Sequence, residues 1–105
     1  MSKPGIDSAI PKRRYRLGEF SLVVLGEIES GDNRDYRYIM AVVRGEDPEP
    51  GIYLTAERGR DSENNSYNMR LVMHDGEDII GSSEAWHDLD VFTDEAIDIV
   101  SRILN

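Results

Sequence analysis

His74 and His87 are the only two imidazoles in this 105-residue chain, so any nitrogen-ligated metal or near-neutral proton shuttle depends on them. If the segments flanking Asp75 pair as a hairpin, residue 74 lies near residue 79 and residue 87 near residue 66. That puts the two rings at opposite ends of the ladder, where they cannot share a metal. The runs Asp32-Asn33-Arg34-Asp35 and Asp75-Gly76-Glu77-Asp78 offer oxygen donors, but neither has the spacing of an EF-hand loop. Turn chemistry accounts for both, since Asp, Asn and Gly favour tight reversals. Gly81-Ser82-Ser83-Glu84-Ala85 lacks the second glycine of a nucleophile elbow. Gly26 to Gly31 is followed by Asp32 rather than Lys-Ser/Thr, and no lysine occurs after Lys12, so there is no phosphate-binding P-loop. With 21 acidic residues, close carboxylate pairs are expected by chance alone. Thiolate chemistry, disulfides and iron–sulfur clusters are excluded because the chain has no cysteine. The expectation is a protein without cofactor or metal that is not an enzyme.

The residue types that remain suit recognition. Tyr36, Tyr38, Met40, Tyr67, Met69, Met73 and Trp86 combine large apolar area with a polar or adaptable end, the composition enriched at interfaces. Two-residue periodicity puts Tyr36, Tyr38 and Met40 on one strand face, and Tyr67, Met69 and Met73 likewise share one. Trp86, with Ser82 and Glu84 as presumed neighbours, is expected to face water in part and to anchor a partner. A second candidate is the basic cluster Lys12, Arg13, Arg14 and Arg16 around Tyr15. Residues 1–16 hold five basic side chains against Asp7, a net +4, which leaves −13 on the remaining 89 of a chain whose total is −9. Such an acidic body repels phosphate backbones and anionic lipid, so nucleic acid and membrane surfaces are disfavoured partners. The cluster suits either an acidic partner or the charged blunting of an exposed edge.

These residues need a scaffold, and the pattern is mostly that of strands. Residues 1–12, with two prolines and a glycine, read as a disordered arm, and 13–105 as a single domain. Six strands are expected: Arg14–Leu17, Phe20–Ile28, Tyr36–Arg44, Ile52–Arg58, Tyr67–His74, and Ile79 to about His87. Gly18-Glu19 suits a type II′ hairpin. The loop Gly45-Glu46-Asp47-Pro48-Glu49-Pro50-Gly51 lies outside the sheet, because its prolines cannot continue either strand. Short connections make neighbouring strands antiparallel. The chain ends in a helix carrying Phe92, Ala96, Ile99, Val100 and Ile103 at helical spacing, with Thr93 as N-cap.

The longest apolar run, Ile39–Val43, is far short of the ~18 residues a membrane span needs. The N-terminal segment lacks the apolar stretch of a secretory signal, and a cytoplasmic location is expected. The fold class expected is α+β: a curved antiparallel meander of five or six strands with one helix packed on one face. Strands two and three are apolar on both sides, with Val23, Leu25, Ile39, Ala41 and Val43 opposing Leu22, Val24, Met40 and Val42. One short helix covers part of one face, so curling of the sheet or another chain must cover the rest. Gly81, Ser83 and Ala85 form a small-residue side that the helix could approach closely. The expected function is a small acidic protein-interaction module, a homodimer being one form. The alternatives are a nucleic-acid or acidic-partner binder through residues 12–16, and a small-molecule protein or enzyme with a pocket in the curved sheet.

Overall fold

The fold is described by a computed structural model covering residues 3–58 and 66–104. The connection between the expected fourth and fifth strands, residues 59–65, and the first two residues of the expected arm lie outside the described residues. Among those described, six strands form one sheet in chain order: β1 (Ile6–Leu17), β2 (Phe20–Ser30), β3 (Asp35–Arg44), β4 (Ile52–Arg58), β5 (Tyr67–Met73) and β6 (Gly76–Ser83). Every neighbouring pair is antiparallel, and the sheet does not close. A short 3-10 turn, Glu84–His87, leads into helix α1 (Leu89–Leu104). The α+β meander with a C-terminal helix is therefore present.

Leu17 and Phe20 pair across Gly18-Glu19, and Gly18 takes φ 60° while Glu19 stays outside the left-handed region. A type II′ turn needs that combination, and glycine meets it without steric cost.

Three boundaries depart from expectation. β1 begins at Ile6, not Arg14, so residues 6–12 are a strand rather than a disordered arm. Their own side chains bury little, but backbone pairing with β2 holds them, and register shifts around Ser8 and between Pro11 and Arg13 absorb the proline on a free edge. The β5–β6 turn is His74-Asp75 alone, and β6 starts at Gly76, three residues before the expected Ile79. Ile79 consequently faces Arg70, not residue 74. Finally, α1 starts at Leu89 and is capped by Asp88, whose Oδ1 accepts the Asp90 and Val91 amides at 2.9 and 3.1 Å. Thr93 is an interior helix position, not the cap.

The main core lies between one sheet face and α1. Leu22 and Val24, Tyr38, Met40 and Val42, Ile52, Leu54 and Ala56, and Met69 meet Phe92, Ala96 and Val100. The last three recur every fourth residue, which places them on one stripe of the helix. Tyr38 stacks on Phe92 with centroids 5.6 Å apart. The Thr93 hydroxyl is buried in the same interface with no hydrogen-bond partner among the described residues. Replacing it by a methyl in Thr93→Val is expected to raise the unfolding free energy by about 1 kcal/mol in a urea titration; a loss of stability would show that the hydroxyl is bonded.

The second sheet face has no helix, yet Ile39 and Thr55 are fully buried, and Val72 and Glu57 nearly so. Bulges between Tyr36 and Tyr38 and between Met69 and Arg70 bend the sheet around this face. The chain before β1 also folds back over it. Ile6 donates to the Pro4 carbonyl in a tight reversal, Pro4 is buried, and Lys3 reaches Glu49 of the β3–β4 loop at 2.7 Å beside Tyr53.

Candidate functional site

The aromatic and methionine residues expected to bind a partner belong to the protein's own interior. Tyr38, Met40 and Met69 sit in the core under α1, and Tyr67 packs half-buried at its margin beneath the Arg58 guanidinium, 5.8 Å from the ring centroid. Tyr36 does not share a face with Tyr38, because the bulge between them pairs Tyr36 with Glu57 and Tyr38 with Ala56, which point to opposite sides. Trp86 is only 7% exposed. It sits in the 3-10 turn rather than in a strand, and the turn tips its indole back over β6. A Cβ at Gly81 would stand 3.3 Å from Trp86 Cη2. The small residue at Gly81 therefore admits the tryptophan, not the helix backbone. The expectation of a water-facing Trp86 is corrected: its β-strand neighbours were inferred from an alternation that ends at Ser83, whose hydroxyl caps the turn at the Ala85 amide.

The 3-10 turn is held to the β3 bulge. The His87 carbonyl accepts from Arg37 Nε at 3.1 Å and the Tyr38 hydroxyl at 3.2 Å, which carries the chain across the helix-bearing face toward β1, where Asp90 meets Arg13.

On the second face the pairing of β4, β5 and β6 gathers a polar chain that sequence spacing did not reveal. The buried Glu57 carboxylate accepts two bonds from Arg70, at 2.8 and 2.9 Å, and one from the Thr55 hydroxyl at 3.1 Å. Arg70 also binds Glu77 at 3.2 Å, and Arg34 approaches Glu77 at 3.5 Å. Acid–base catalysis by paired carboxylates needs two acids facing a common reactant. Here a guanidinium stands between Glu57 and Glu77, and the arrangement ties β4, β5 and β6 together.

Asp32 adds the β2–β3 turn to that chain by accepting from the Tyr36 hydroxyl at 2.6 Å, the Gly5 amide at 2.8 Å and the Arg34 amide at 3.2 Å. Its oxygens are thus engaged by the protein itself rather than arrayed as a calcium loop. Burial pushes the Asp32 carboxyl up, but those bonds and the Arg34 charge outweigh it, and its pKa lies below the ordinary aspartate value. Burial and the Asp32 contact both push the Tyr36 phenol up, so it remains a donor. Because Asp32 binds its proton more weakly when folded, its contribution is complete above the ordinary value of 3.8 and is lost as pH falls through the lower folded value. Protection of the Gly5 amide, relative to its intrinsic exchange rate, is expected to fall over that acid window and to be low at all pH in Asp32→Ala, which removes the acceptor; unchanged Gly5 protection in the variant would disprove the link.

The basic cluster lies within β1. Lys12 pairs with Glu27 at 2.5 Å and Arg13 with Asp90 at 3.3 Å, while Arg14 and Arg16 make no ion pair among the described residues. Alternation points Arg14 and Arg16 to the second face, opposite Val23 and Ser21, and Tyr15 to the helix-bearing face opposite Leu22.

A shallow cleft of about 470 Å³ lies between Glu27, Asp35, Arg37, Arg58 and Tyr67, and its charged lining mixes both signs. No three His, Asp or Glu side chains among the described residues converge as metal ligands do. Among the described residues, no helix is long and apolar enough to cross a membrane.

Exposed large hydrophobic side chains concentrate at the two open edges. Ile10 and Tyr15 lie on β1 and Ile79 and Ile80 on β6, 39–49% exposed, with Val91 and Ile103 on the helix completing the set. An outer strand also presents unpaired backbone donors and acceptors along one side. The edges differ in regularity: β1 carries three register shifts and Pro11, and runs unbroken only from Arg13 to Leu17, whereas β6 has one shift and no proline. The chain matches no protein-family model, no curated protein and no solved structure.

Proposed function

We propose that this protein is a small interaction module that receives an extended segment of a partner along the free edge of β6. The supporting observation is the combination at that edge of Ile79 and Ile80, both more than 40% exposed, with an unpaired strand backbone. Strand addition draws affinity from main-chain hydrogen bonds and selectivity from alternate side chains. Asp75 and Asp78, both exposed, and Glu84 just beyond the strand make the edge acidic, so the segments it suits are basic and apolar in alternation. Trp86, buried over Gly81, serves this reading by stiffening β6 from behind rather than by touching the partner.

The test is selection of extended peptides from a displayed random library on the intact protein. Peptides rich in Arg, Lys and β-branched residues are expected to be retained, to slow amide exchange at residues 77–82, and to be lost from Ile80→Lys. Retention that Ile80→Lys leaves unchanged, or enrichment of no peptide, overturns the reading.

A further inference from the structure

The two open edges of this sheet are complementary to each other. On β1 the regular stretch Arg13-Arg14-Tyr15-Arg16-Leu17 carries Arg14 and Arg16, neither in an ion pair among the described residues, and Tyr15 at 39% exposure. On β6 and its flanks, Asp75, Asp78 and Glu84 are exposed around Ile79 and Ile80. One edge is thus basic with an exposed aromatic, the other acidic with two exposed aliphatics, and both offer unsatisfied strand backbone.

We propose that the segment received by β6 is the β1 edge of a second copy of this chain, around Arg13–Leu17, so that copies join head to tail through one continuous sheet. This rests on the edge-addition reading above and names its partner. Charge decides the pairing. A two-fold dimer through β1 would set Arg14 and Arg16 of one copy against the same residues of the other, and one through β6 would oppose Asp75 and Asp78. Pairing β1 with β6 replaces both repulsions by attraction. Such a contact is heterologous: a joined pair still has one β1 edge and one β6 edge unused, and growth ends in a ring or continues as an open chain. The register shifts in residues 6–13 limit the contact to a short stretch, so the association is weak and reversible.

Two variants separate the edges. Ile80→Lys disables β6 and leaves β1; Arg14→Glu with Arg16→Glu disables β1 and leaves β6. All three positions are at the surface, and the thermal midpoint of each variant confirms the fold. In sedimentation, the wild-type mass is expected to rise with concentration beyond that of a dimer and to fall with added salt. Each variant alone remains monomeric, and an equimolar mixture forms a one-to-one dimer that grows no further. Amide exchange at high wild-type concentration slows at both 13–17 and 77–82. Wild-type protein that stays monomeric up to about 1 mM, a mixture that does not pair, or protection confined to one edge overturns the inference. If library peptides still bind β6 in that case, the module reading stands and only its partner is wrong.

Discussion

Trp86→Ala is expected to lower the unfolding free energy by about 3–5 kcal/mol, the cost of emptying a large aromatic site that cannot collapse. The indole is 7% exposed, seated on Gly81 and joined to the core that holds Met69 and Phe92. A domain of this size has about 5–15 kcal/mol to lose. The variant should therefore show a strongly lowered urea midpoint with little change in slope. Trp86→Phe, which refills part of the space, should recover a large share. An Ala variant within about 0.5 kcal/mol of wild type would mean that Trp86 is a surface residue after all, restoring it as a partner anchor.

Arg70→Met is the second large effect. Glu57 is 4% exposed and receives two charged hydrogen bonds from Arg70, so the variant takes the bonded cation from a buried carboxylate. Removing one partner of a buried pair costs about 3–5 kcal/mol, because the remaining charge keeps its desolvation penalty without its counterion. Glu57→Met is expected to cost less, since Arg70 retains Glu77 at 3.2 Å and its own side chain is 18% exposed. The double variant Glu57→Met/Arg70→Met should lie closer to wild type than Arg70→Met alone, because no unpaired charge is left inside. A denaturant double-mutant cycle reads the coupling directly. Additive losses would show that the two groups act independently despite their 2.8 Å contact.

The elements were legible because their signals are local. Phe20–Ile28, Ile52–Arg58 and the helix stripe Phe92, Ala96, Val100 each carry a repeat that a short window contains, and Gly18 announces the first hairpin by its own backbone freedom. Apolar residues on both sides of β2 and β3 likewise foretold that the second face would be covered. Residues 6–12 have no apolar repeat and so look like an arm, but their order comes from hydrogen bonds to β2, which composition does not record. Trp86 looks exposed only if the strand alternation runs three residues past Ser83, where the chain in fact turns.

Antiparallel strand order, the C-terminal helix, the acidic body with its basic N-terminal segment and the absence of thiol chemistry all follow from the sequence by itself. Tertiary structure alone decided which side of each strand is inside. One bulge sends Tyr36 away from Tyr38, while the register of β4, β5 and β6 sets Glu57, Arg70 and Glu77 on one face in a single network. Bulges and register are set by the fit between strands distant in sequence. For the same reason, only the assembled sheet shows that Trp86, Tyr38, Met40 and Met69 are spent on the core and that two edges of opposite charge are left open.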